Sequence, residues 1–137
     1  MTDSPVREVT VGNVCFGGTN GFALIAGPCV IESREHLMRH AEAVTTIARK
    51  TNVPVVFKSS FDKANRTSGA AFRGPGMQEG LAILAEVKDA FGVPVLTDVH
   101  DASQCAVVGE VVDCLQIPAF LCRQTDLLIA AAATGKV

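Results

Sequence analysis

Four short apolar runs without polar alternation punctuate the chain: Phe22 to Ala26, Val53 to Phe57, Val93 to Thr97 and Asp113 to Ile117. A strand that is apolar at consecutive positions is buried on both faces, so all four are expected to be strands of a parallel sheet covered by helices. Between them the apolar residues recur at helical spacing. Leu37, Ala41, Val44 and Ile47 follow the candidate N-cap Ser33, and Leu81, Leu84, Val87 and Phe91 stop at Gly92. A shorter helix over Ala102 to Val108 and a fourth over Thr125 to Thr134, with Asp126 in its first turn and Gly135 after its last, complete four βα units spanning about 22–135. Ahead of them, Val6 to Val11 and Val14 to Phe16 flank Gly12-Asn13, which predicts a hairpin over about 6–16 that caps one end of the main fold.

Alternating strands and helices imply a parallel sheet with right-handed crossovers, either an open doubly wound sheet or a closed eight-stranded barrel. A four-stranded open sheet can exist alone, whereas a barrel of four strands cannot close. The chain reaches Lys136-Val137 just where another strand is due after Gly135, so the expectation is one incomplete domain over 1–137.

Composition narrows the function classes. A hydrophobic content of 48% is ample for a core, which argues against disorder. Twelve basic residues against fourteen acidic ones leave a net charge of −2, so nothing global points to nucleic acid or to an anionic membrane. There is no tryptophan or tyrosine, and the seven phenylalanines are dispersed, which removes the stacking platform of a single-strand nucleic-acid binder. Met1 to Pro5 carries no leader-like basic patch and apolar run, and no stretch is long enough to span a bilayer, so a soluble cytoplasmic protein is expected. The five cysteines, at 15, 29, 105, 114 and 122, include no Cys-x-x-Cys pair, which argues against a disulfide scaffold and a zinc ribbon.

In parallel α/β folds the chemistry lies at the carboxyl ends of the strands, and those ends are unusually polar here. The first delivers Gly27-Pro28-Cys29 through Ser33, the second Lys58-Ser59-Ser60-Phe61-Asp62-Lys63-Ala64-Asn65-Arg66, the third Asp98-Val99-His100, and the fourth Gln116 followed by Arg123 to Asp126. Lys58 directly follows a buried run, where an ammonium is costly unless it meets an anion or reaches water. Lys63 and Arg66 arrive in the same loop, and three cations so close together repel unless a polyanion lies among them. Phosphate is the expected ligand. Cys29 reads as a small buried thiol, a nucleophile or a metal ligand, and His100 with Asp98 as a metal site, a proton relay or an ordinary pair. His36 and His40 share a helix face but lack the glutamate of zinc proteases, so a solvated face is expected. Arg73-Gly74-Pro75-Gly76 matches no phosphate-binding glycine pattern and reads as loop geometry.

Taken together, Ala26 to Ser33, Phe57 to Arg66, Phe72 to Gly76, Thr97 to His100 and Gln116 to Asp126 resemble the 3-deoxy-D-manno-octulosonate 8-phosphate synthase family, most specifically in Asp62-Lys-Ala-Asn-Arg66. The resemblance implies a (β/α)8 TIM barrel, of which this chain is the amino-terminal half, preceded by the hairpin. It implies condensation of phosphoenolpyruvate with D-arabinose 5-phosphate, with release of phosphate, in lipopolysaccharide precursor synthesis. Lys58 and Gln116 are then expected to hold phosphoenolpyruvate, while Lys63, Asn65, Arg66 and Thr67 face the pentose phosphate. Asp98 and His100 line the reacting centre with Lys58. Arg123 reaches a neighbouring subunit's site in a homotetramer, and Cys29 is the ligand of a divalent ion such as zinc, iron or manganese. Thr67 departs from the family's usual serine, keeping the hydroxyl but adding a methyl, and Gly69-Ala70-Ala71 replaces a bulkier stretch.

Two other readings belong beside this one. The related 3-deoxy-heptulosonate 7-phosphate synthase also shows Gly-Pro-Cys but carries a different basic loop. A non-catalytic anion-binding or assembly module accounts for the cations without any turnover.

Overall fold

The computed structural model describes residues 6–137; Met1 to Pro5, which the expected domain includes, lie outside the described residues. β1 (Val9–Val11) and β2 (Val14–Phe16) form an antiparallel hairpin. Gly12 turns it with φ +57°, and a Cβ there would lie 2.9 Å from the side chain of Pro94, so the turn sits tightly under the main sheet. Only the second half of the expected Val6 to Val11 run pairs.

The main sheet is parallel and holds β3 (Leu24–Ala26), β4 (Val55–Lys58), β5 (Val95–Asp98) and β6 (Cys114–Gln116) in that order. Each is followed by a helix: α1 (Arg34–Thr51), α2 (Met77–Phe91), α3 (Ala102–Val111) and α4 (Thr125–Ala133). The strand order never reverses, so there is no switch point of the doubly wound kind, and successive helices pack on one another, α1 on α2, α2 on α3 and α3 on α4. The helices share one large apolar cluster with Val55, Phe57 and Val95, while the opposite face of the sheet packs Val56 and Leu96 against Val11 and Val14 of the hairpin. One face covered by helices and the other turned inward is the arrangement of a barrel wall, with the hairpin plugging its floor.

Local chemistry explains the boundaries. Ser33 caps α1 by accepting from the His36 N–H at 3.1 Å, and Asn52 ends it in the left-handed conformation at φ 54°. Pro54 and Pro94 have no N–H to donate, so ladders begin at Val55 and Val95, although their carbonyls already accept from Leu24 and Phe57 at 2.8 Å. Asp101 caps the start of α3, which outruns its expected end and continues to Val111, because Gly109 is a contact rather than a break; a Cβ there would come within 3.0 Å of Thr134. A single 3-10 turn over Ala119–Leu121 follows Pro118 and was not expected.

Three expectations are corrected. β4 and β5 are buried throughout apart from Lys58, but β3 and β6, each with one strand neighbour within this chain, are not; Ile25 of β3 is 50% exposed, and Phe22, ahead of β3, is 73% exposed. Ile47 is 60% exposed, since ten helical residues beyond Leu37 carry it off the buried stripe, which passes instead through Thr45 and Ala48. His36 and His40 are half-buried with ring centroids 4.2 Å apart, not a solvated face.

Candidate active site

Strand register decides which side chains enter the barrel. Lys58 pairs with Leu96 and Leu96 with Cys114, while Asp98 pairs with Gln116. Since Leu96 belongs to the inward cluster, Lys58, Asp98 and Gln116 share its face by the two-residue period, and Ser60 continues the same row beyond β4. β4 and β5 each run one residue further than their apolar runs, so Lys58 and Asp98 are the last residues of these strands rather than the first of their loops.

The ends of β3 and β4 are fastened together. A Cβ on Gly27 would collide with the Lys58 carbonyl oxygen, Ser59 Oγ donates to the Pro28 carbonyl at 2.8 Å, and the Ile31 N–H donates to the Ser60 carbonyl at 3.0 Å. Cys29 lies between these contacts with its side chain exposed, which removes the buried-thiol reading; Cys105, at 1% exposure, is the cysteine that behaves that way.

Asp98 is the centre of the polar network. Its Oδ2 lies 3.0 Å from His100 Nε2, and it is nearly fully buried. Burial pushes its carboxyl up, but hydrogen bonds from His100 and Ser60 and the charge of Lys63 outweigh it and bring the carboxyl down to about 2. Lys63 Nζ donates to Ser60 Oγ at 2.6 Å, so one buried hydroxyl connects the loop cation with the strand carboxylate. His100 is held from two sides, by its backbone N–H donating to Gln104 Oε1 at 2.8 Å and by an edge-on contact with Phe61, centroids 5.8 Å apart. Asp98 Oδ1 and His100 Nδ1 are buried without a protein partner among the described residues.

The structure thus puts Asp98 in direct contact with His100, brings Lys63 to them through Ser60, and sets Lys58 and Gln116 on the same wall. Asn65, Arg66 and Thr67 lie on the exposed loop after β4, with Arg66 Nε donating to the Phe72 carbonyl at 3.2 Å. Arg123 is exposed between the 3-10 turn and α4 and makes no side-chain contact with this network. Ser60 and Gln104 were not singled out from sequence. Ser60 was legible, standing two residues after Lys58 and therefore on its face; Gln104 was legible only as the third residue of a helix capped by Asp101, the position from which a side chain reaches back to the turn.

A parallel wall in sequential order, helices outside, a floor-plugging hairpin, and cations with a carboxylate–imidazole pair at the strand ends define part of a (β/α)8 barrel with an anion-binding mouth. The chain belongs to the DAHP synthetase I family, whose model matches residues 3–137. It is 62% identical over 134 residues to 2-dehydro-3-deoxyphosphooctonate aldolase of Bradyrhizobium sp. (strain ORS 278), covering 98% of this chain and 47% of that protein. The protein of the same name from Trichlorobacter lovleyi is 60% identical over 131 residues, 96% of this chain and 48% of its own length. That of Pisum sativum is 65% identical over 116 residues, 85% and 40% respectively. The chain therefore spans about half the length of the curated relatives it matches.

Proposed function

We propose that the full-length protein carrying this chain condenses phosphoenolpyruvate with D-arabinose 5-phosphate and water to give 3-deoxy-D-manno-octulosonate 8-phosphate and phosphate. The observation that carries the reading is the Lys63–Ser60–Asp98–His100 network on the same inner wall as Lys58 and Gln116, in a chain about 60% identical to proteins bearing the octulosonate aldolase name. The reaction joins the enol carbon of phosphoenolpyruvate to the aldehyde carbon of the pentose, whose oxygen takes a proton. Water adds at the neighbouring carbon, and the bond from that carbon to the phosphate oxygen breaks. Both substrates are polyanions, so the site must supply cations without quenching them.

In this reading Lys58 and Gln116 hold phosphoenolpyruvate, and Lys63, Asn65, Arg66 and Thr67 receive the pentose phosphate. Asp98 stays ionised and fixes His100 by accepting from Nε2, which holds the imidazole beside the reacting centre. Arg123 serves a neighbouring subunit of a homotetramer. The cytoplasm is the expected compartment; among the described residues no helix is long and apolar enough to cross a membrane.

Cys29 is proposed as a ligand of a divalent ion, and its exposed thiol at a strand end suits the role. Among the described residues no three histidine, cysteine, aspartate or glutamate side chains are grouped to hold such an ion. These residues therefore supply one ligand and no metal-dependent step is built on them.

The test is turnover by full-length protein of phosphoenolpyruvate with each of two aldoses. Octulosonate 8-phosphate formation from arabinose 5-phosphate, with equimolar phosphate release, is expected. Faster turnover of erythrose 4-phosphate would instead favour the heptulosonate synthase chemistry that the family description names.

A further inference from the structure

The turn Arg73 to Gly76 has no part in the reaction outlined above, yet it is bound to the basic loop at several points. The geometry points to Arg73 as a positioning residue that holds the Asp62 carboxylate away from Lys63 and so keeps the loop cations available to a phosphate ester. This inference deepens the proposed function and rests on it for the identity of that ester.

The contacts are directional. Arg73 Nε lies 2.8 Å from Asp62 Oδ1 and Nη2 lies 2.6 Å from Oδ2, a two-pronged fork that lysine cannot reproduce. The next residue's backbone is caught as well, with the Lys63 N–H donating to the Arg73 carbonyl at 2.7 Å. The Gly76 N–H donates to the Phe61 carbonyl at 3.1 Å, and Gly74, at φ +121°, has no Cβ to collide with that same oxygen. Phe61 is buried, against Gly80 on one side and the His100 ring on another. The base of the loop is thus fixed relative to the imidazole.

Charge accounts for the need. Asp62 immediately precedes Lys63 and lies within four residues of Arg66, so an unclamped Asp62 carboxylate has two cations within reach. Pairing with either would take from the site a charge meant for the substrate and would draw Lys63 Nζ from Ser60. With the fork in place, Arg73 is neutralised by Asp62, whereas Lys63 keeps its hydrogen bond to Ser60. Arg73 and Asp62 side chains are 53% and 23% exposed, and an ion pair that wet adds little to the stability of the fold. Its effect belongs in anion affinity.

The two partners are therefore unequal. Removing Arg73 liberates a harmful carboxylate, whereas removing the charge of Asp62 also removes the harm. In the full-length protein, calorimetry with D-arabinose 5-phosphate is expected to give about tenfold weaker binding for Arg73→Ala, about threefold for Asp62→Asn, and for the double variant a value near that of Asp62→Asn. Phosphoenolpyruvate affinity is expected to stay within about twofold in all three. Wild-type affinity in Arg73→Ala, or a double variant as weak as Arg73→Ala, overturns the inference. Should Arg73→Ala fail to fold, Arg73→Lys decides it: weaker pentose-phosphate binding supports the fork and unchanged binding overturns it. If the wild-type protein binds no arabinose 5-phosphate, the substrate assignment fails separately, and the same ordering measured with inorganic phosphate then supports or overturns the clamp.

Discussion

His100 and Asp98 hold each other in place: Nε2 meets Oδ2 at 3.0 Å, while the His100 backbone N–H is tied to Gln104 Oε1 at 2.8 Å. Nε2 is taken up by the carboxylate, and Nδ1 is buried with no protein partner among the described residues. The pair is thus a fixed carboxylate orienting an imidazole, supported by Lys63 through Ser60.

The Asp98 carboxyl is depressed from 3.8 to about 2, despite burial that pushes it up, by hydrogen bonds from His100 and Ser60 and the nearby charge of Lys63. A depressed carboxyl stabilises the folded state above its unfolded value, and that stabilisation is lost as pH falls through the folded value. Asp98→Asn in the full-length protein should therefore cost about 1–2 kcal/mol at neutral pH, the difference shrinking below about pH 4 and vanishing near pH 2. Urea unfolding across that range measures it. A difference that stays constant with pH would mean that shape, not charge, is what Asp98 contributes.

Two glycines separate steric from conformational demand. A Cβ on Gly27 would strike the Lys58 backbone carbonyl, which cannot move without parting β3 from β4. Gly92, the residue ending α2 at φ +62°, has open space around its missing Cβ. Gly92→Ala is expected to cost about 1 kcal/mol and Gly27→Ala about 3 kcal/mol or more, compared by unfolding of the full-length variants. Equal costs would show that the strand ends tolerate separation.

Much of this was readable in the sequence, and the misses share a cause. Ser33 and Gly92 mark helix ends through purely local chemistry, and both do so in the structure. The alternation that brings Lys58 and Ser60 to one face is equally local. Burial of β3 was misjudged because an apolar strand reads alike whether one neighbour or two cover it; Ile25 is half exposed beside a fully buried Val56. The barrel wall was separable from an open sheet only by strand order and by the single helix-covered face, both of which are long-range. Arg73 reads as turn geometry because its partner Asp62 lies eleven residues away at the far end of the same loop.

Metal dependence follows from the place given to Cys29. Chelation of the full-length protein should abolish the proposed turnover, and added divalent ion should restore it, if the Cys29 thiolate is an ion's ligand. Cys29→Ala should bind the ion less tightly, measured as metal content after dialysis. Full activity in chelated, metal-free protein would remove the ion from the proposal and leave Cys29 as an exposed thiol at a strand end.

Arg123 offers a test of sharing between subunits. It lies beyond Pro118 and the 3-10 turn, exposed, and has no contact with the Asp98 network, whereas Lys58 ends β4 on the inner wall of its own chain. If Arg123 serves a neighbour's pentose-phosphate site, Arg123→Ala and Lys58→Ala should each lower kcat/KM by about a hundredfold or more, since each removes one charge-assisted contact to a polyanionic reactant. The two defects then sit in different halves of each shared site. In a mixed tetramer, a site made from the Arg123→Ala subunit's own pocket and the Lys58→Ala subunit's arginine contains both cations, although neither pure variant can form one. Co-refolding the two inactive proteins should therefore restore a substantial fraction of activity, rising and then falling as the ratio of the two is varied. Mixed tetramers confirmed by mass and still inactive would place Arg123 in its own subunit's site or at the interface alone.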